Sequence, residues 1–159
     1  MARNKKNKKK VPANASQGVK NSRKTPHVNE NPESFYHLNP SWRFSRVDTC
    51  HESWNCTLDN IDQDLINRLI SFERQTWGEL LRNTSGRTRN TQNHLIDFAA
   101  MKKEAQERAK ELQLDLEDGL MSLAISGKKR LLGVMRKEVF FLVWYDKNHE
   151  VCPTTKRYT

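Results

Sequence analysis

The residues of this chain best suited to chemistry lie near its C-terminal end, where His149, Lys156, Arg157 and Tyr158 follow three apolar runs. An imidazole and a phenol can move protons, and cations beside them can hold phosphate oxygens, which points to RNA as ligand or substrate. His149 also follows Asp146-Lys147-Asn148, a good turn, so it can equally serve to end a strand. A second constellation, Cys50, His51, Cys56, His149 and Cys152, contains the side chains of a tetrahedral zinc site. Its Cys-x5-Cys spacing is looser than the short knuckles of structural zinc sites, so buried thiols and no metal are expected. A third group, Arg82, Arg87 and Arg89 around Gly86, could line a phosphate path, because Arg offers a planar fork of donors; such a loop is also commonly just solvated. No Gly-rich phosphate loop, paired catalytic carboxylates or Ser-His-Asp set stands out, and no cofactor is expected.

The elements that must position these residues are legible in part. The runs Leu120 to Ser126, Arg130 to Met135 and Val139 to Tyr145 are separated by breaks of hairpin length, which predicts an antiparallel meander. Met121, Leu123 and Ile125 alternate with Ser122, Ala124 and Ser126, the pattern of a strand with one wet face. The third run is apolar at every position and should lie centrally, covered on both sides. Trp42 to Asp48 predicts a fourth strand, with Arg43 and Arg46 pointing away from the core. Two amphipathic helices come between. One runs from an Asp59 N-cap through Ile61, Leu65, Leu69, Phe72, Trp77 and Leu80; the other runs through Leu95, Phe98, Met101, Ala105, Ala109 and Leu112. The expected fold is α+β, a two-helix hairpin packed on one face of a small four-stranded, mainly antiparallel sheet.

Charge divides the chain of 159 residues unevenly. Met1 to Lys24 holds nine Lys or Arg and no acid; subtracting these from the 28 basic residues leaves 19, against 19 acidic, so the whole net charge of +9 sits in that segment. With almost nothing to bury, it reads as a disordered tail, followed by a linker punctuated by Pro26, Pro32 and Pro40. Residues 1–40 are thus expected as tail and linker, and 41–159 as a single domain. A tail of this kind attracts polyanions by counterion release. It can also be only a solubilising leader. The chain shows no membrane-length apolar run and no apolar leader, so a cytoplasmic protein without a membrane partner is expected; three cysteines in such a chain argue against a disulfide framework.

The element order and the tract Leu123-Ala124-Ile125-Ser126-Gly127-Lys128-Lys129-Arg130-Leu131-Leu132-Gly133-Val134 resemble the RelE/ParE superfamily of bacterial toxins. Trp144-Tyr145-Asp146-Lys147-Asn148-His149-Glu150-Val151-Cys152-Pro153 resembles a C-terminal signature of uncharacterised bacterial proteins. The first resemblance implies a RelE-like fold, metal-independent cleavage of ribosome-bound messenger RNA, and an antitoxin partner that covers the basic face. Arg130 matches that family's phosphate-holding Arg. Tyr158 matches its near-terminal acid, with His149 as a competing candidate. Chemistry alone adds Lys128, Lys129 and Lys156 as supporting cations, with Arg43, Arg46, Arg87, Arg89 and Arg157 as further RNA contacts. The alternative is a non-enzymatic protein of phage or mobile-element origin that docks on nucleic acid or protein.

Overall fold

The computed structural model describes residues 34–83 and 91–153. It contains the strands β1 (Ser41–Arg43), β2 (His94–Ile96), β3 (Leu120–Ala124), β4 (Arg130–Arg136) and β5 (Val139–Asp146). Its helices are α1 (Gln63–Phe72), α2 (Trp77–Arg82) and α3 (Lys103–Glu111). The protein is α+β. The meander β3-β4-β5 forms as its turn-length breaks require, but the sheet has five strands, in the order β1-β5-β4-β3-β2, and is mixed. β1 runs parallel to β5, so the expected four-stranded sheet is corrected in both number and sense. The unforeseen member is β2: His94-Leu95-Ile96 pairs antiparallel with Met121 and its neighbours, although Leu95 fits a helical spacing with Phe98 and Met101. Periodicity could not separate the two, because three apolar residues suffice for either pattern.

The helices do not lie on one face. Leu65, Leu69 and Phe72 of α1 and Trp77 and Leu80 of α2 pack with Met121, Leu123, Leu131, Phe140, Leu142 and Tyr145. Ala105 and Ala109 of α3 pack with Ile96, Leu120, Leu132, Val134, Val143 and Trp144. The two sets come from opposite faces of the strands, so the sheet is the middle layer of three. The expected hairpin on one side is therefore replaced by cover on both, which is what an all-apolar β5 demands. It also removes the wet face expected of β3, since Ser122 is only 1% exposed. Opposite it stands Leu132, on the α3 side.

Local chemistry sets the helix ends. Asp62, not Asp59, caps α1, accepting from the Leu65 amide at 3.1 Å. The single expected helix breaks after Phe72 and restarts where Thr76 and Glu79 form a reciprocal capping box. Residues 34–40, expected as linker, are folded: Phe35 packs against the α1–α2 core, and the Leu38 carbonyl accepts from the Trp77 amide at 2.9 Å.

One irregularity positions much of the rest. The β4–β5 register shifts between Leu132 and Gly133, whose partners are Trp144 and Leu142. Val143 is therefore extra, and it shares the α3 side with Trp144, while Tyr145 returns to the α1 side. Gly133 is needed beside this bulge, because a Cβ there would stand 2.2 Å from the Phe141 carbonyl oxygen and 2.5 Å from the Phe140 ring.

Candidate functional site

Of the residues expected to act on RNA, Arg43, Arg46, Lys128, Lys129, Arg130 and His149 are among those described. Arg87, Arg89, Lys156, Arg157 and Tyr158, and the basic segment 1–24, lie outside them. Arg130 opens β4 opposite Asp146, which ends β5. His149 follows three residues later, so Arg130 and His149 belong to the same end of two adjacent central strands. Around them the side chains are engaged with the protein itself. Arg130 donates through Nη1 to the carbonyls of Gly127 and Lys129, both at 2.9 Å, which closes the β3–β4 turn. Burial lowers its pKa, against the pull of Asp146. His149 has φ +63°, in a loop held by Asp146, whose Oδ1 accepts from the Asn148 amide and Oδ2 from the Val151 amide at 2.8 Å.

Lys129 is engaged by two acids at the start of α1. Its Nζ donates to Asp62 at 2.8 Å and to Asp64 at 2.5 Å, and Ser126 also donates to Asp64. Tyr145, delivered to this side by the bulge, donates its hydroxyl to Asp62 at 2.8 Å. Desolvation opposes ionisation of Asp62, but Lys129, Tyr145 and the Leu65 amide together hold its pKa below the ordinary value. This junction ties α1 to the end of the sheet. Lys128 on the same turn is exposed, as is Arg43 on β1.

On the other face, the bulge organises a buried carboxylate. Asp48 is 2% exposed, and its amide donates to the Val143 carbonyl at 3.0 Å. Its side chain accepts a two-point contact from Arg108, at 2.8 Å to each oxygen, with Trp144 Nε1 at 2.9 Å and the Cys50 amide at 3.0 Å. Burial alone would raise this carboxyl; the bonds from Arg108, Trp144 and Cys50 outweigh it and hold the group well below the usual carboxylate range. Beside it, His51 stacks on Trp54 at 3.8 Å, and its Nδ1 accepts from the Ser53 and Trp54 amides at 3.2 Å. Its Nε2 lies 3.4 Å from Glu104. No local sequence pattern announces this network, since Asp48 and Arg108 are 60 positions apart.

The zinc constellation is divided by the sheet. Cys56 lies in the α1–α2 core, and burial pushes its thiol up to about 11. Cys152 packs on the α3 side with Sγ 3.3 Å from the Ala100 carbonyl oxygen, and Cys50 is exposed. Among the described residues, no group of three or more His, Cys, Asp or Glu side chains could hold a metal ion.

A groove between the segment after β1 and the 3-10 turn Leu114–Leu116 encloses about 520 Å³. Arg46, from the first segment, and Arg136, at the end of β4, both donate to Oε1 of Glu117 at 2.7 Å. Arg46 also sits over the Phe141 ring at 5.6 Å. Arg46, expected as an outward cation, is instead engaged here, and nothing in sequence spacing joins it to Glu117 or Arg136.

These features define an α+β protein with helices on both faces of a mixed sheet and three polar clusters packed against it. No family model, no curated protein and no solved structure matches the chain. No described helix is long and apolar enough to cross a membrane.

Proposed function

We propose that this protein binds RNA, and that its main electrostatic contact is the N-terminal basic segment rather than the sheet. The observation that supports this reading is the partition of charge. Within the folded part, Arg46 and Arg136 face Glu117, Arg108 faces Asp48 and Glu111, and Lys129 faces Asp62 and Asp64. The nine cations of residues 1–24 have no acid in their own segment. Lys128 and Arg43, exposed on the domain, add contacts of the same kind. Binding of this type carries little sequence preference and weakens steeply with salt.

The test is the salt dependence of binding to single-stranded RNA by the full-length protein and by a variant with Lys5, Lys6, Lys8, Lys9 and Lys10 replaced by Gln. The slope of log K against log salt should fall by about three to four units, at about 0.7 per cation. An unchanged slope would leave the sheet as the binding surface.

A second reading is the RelE-like endoribonuclease, an antitoxin-controlled toxin acting on messenger RNA in the cytoplasm. It is favoured by the arrival of Arg130 and His149 at one end of neighbouring strands. Induced expression with mapping of messenger RNA 5′ ends checks it. Growth arrest with new ends, absent in Arg130→Ala and in His149→Ala/Tyr158→Phe, would support cleavage, whereas intact messages at full growth would leave the binding protein, on nucleic acid or on a protein partner.

A further inference from the structure

The groove at Glu117 has the composition of a binding site with its own acid already in place. Two guanidinium groups from separate elements meet one carboxylate, so the site keeps one unit of positive charge. Each guanidinium carries five N–H donors, and Glu117 takes one nitrogen of each. Beside this polar pair stand the aliphatic side chains of Val47 and Leu112 over the buried Leu114, with Ser45 and Gln113 also on the lining and Leu116 at the rim, 83% exposed. Arg136 is itself more than half exposed, so the polar pair can be reached from solvent.

We propose that this groove binds an acidic peptide segment, whose carboxylate displaces Glu117 from between Arg46 and Arg136 while a neighbouring aliphatic side chain enters among Val47, Leu112 and Leu114. The planar fork of Arg suits a carboxylate, and the net positive charge remaining after Glu117 is counted selects for acid. The lining gives a nucleobase no bare aromatic face to stack on. Phe141 is the ring closest to this role, and Arg46 already covers it. An open groove with an exposed rim also fits side chains projecting from a partner better than a small molecule, which a pocket would enclose. Glu117 then acts as a built-in competitor that keeps the two arginines in register when no partner is bound.

The competitor gives the proposal a prediction of unusual sign. Full-length protein labelled with ¹⁵N would be titrated with the peptide acetyl-(Leu-Glu)₃-amide, with acetyl-(Leu-Gln)₃-amide and with a uridine hexanucleotide. The acidic peptide should shift the amides of Ser45, Val47, Gln113 and Leu116, and the other two probes should not. Glu117→Gln should tighten peptide binding by about tenfold, and Arg136→Gln should weaken it by about as much. Because the Arg136 side chain is largely in solvent, its variant should keep the native spectrum even if changes at Arg46 do not. Equal binding of both peptides, shifts caused by the hexanucleotide in place of the acidic peptide, or peptide binding indifferent to Glu117→Gln and Arg136→Gln would each overturn the proposal. The last of these is the result expected if the peptide merely associates with the basic segment.

Discussion

Asp48 is the residue on which the α3 side of the molecule turns. Its carboxylate is shut away from water and held by Arg108, Trp144 and the Cys50 amide, so removing one partner strands a buried charge. Arg108→Met is expected to cost about 3 kcal/mol in urea unfolding, more than any exposed ion pair on this protein. The pH dependence has a fixed sign. A carboxyl whose pKa is lowered on folding contributes its stability fully above the unfolded value of about 4, and loses it as pH falls through the folded value. Wild type should therefore exceed Asp48→Asn in stability at pH 7, and the gap should narrow below pH 4. The cysteines should separate by accessibility. Exposed Cys50 should react first with a thiol reagent at pH 8. Cys56, buried and pushed up to about 11, should react only on unfolding, which timed alkylation with mass spectrometry would detect. Nothing local announced the Asp48 network, because an aspartate closing a run expected as a strand is ordinarily wet, and only the fold brings Arg108 to it.

Among the elements, the β4–β5 hairpin carries the most consequence. Its bulge places Val143 and Trp144 on one face and hands Tyr145 to the other, where it reaches Asp62 at the start of α1. Without the extra residue, every side chain beyond Val143 would change sides. Gly133→Ala should therefore be costly, about 3 kcal/mol, because the new methyl meets backbone and a packed ring. Gly127→Ala is the control: its φ of +51° is strained for Ala, but nothing lies within 4 Å, and a loss of about 1 kcal/mol is expected. Chemical denaturation of the two variants against wild type checks the contrast. The meander and the interior place of β5 were readable from the apolar runs. The bulge was not, since a period-two pattern apolar at both phases carries no mark of where the phase slips.

For the whole molecule, composition alone divides the chain into a strongly basic segment and a formally neutral remainder, and the proposed RNA binding follows that division. Amino-acid order likewise determined the α+β class and the β3-β4-β5 meander, because hydrophobic periodicity and turn-length breaks are local properties. It also indicated that β5 needs two covered faces. The remaining features are non-local and follow from how distant segments pack. β1 pairs with β5 in parallel across almost a hundred residues. α1 and α2 lie on one face and α3 on the other, a choice that apolar stripes do not encode because either face offers similar burial. The candidate ligands Cys56 and Cys152 are parted by the sheet, and two of the cations expected to await RNA, Arg46 and Lys129, instead face acids far along the chain. Coulomb attraction depends on distance in space, and sequence spacing fixes that distance only within a single element.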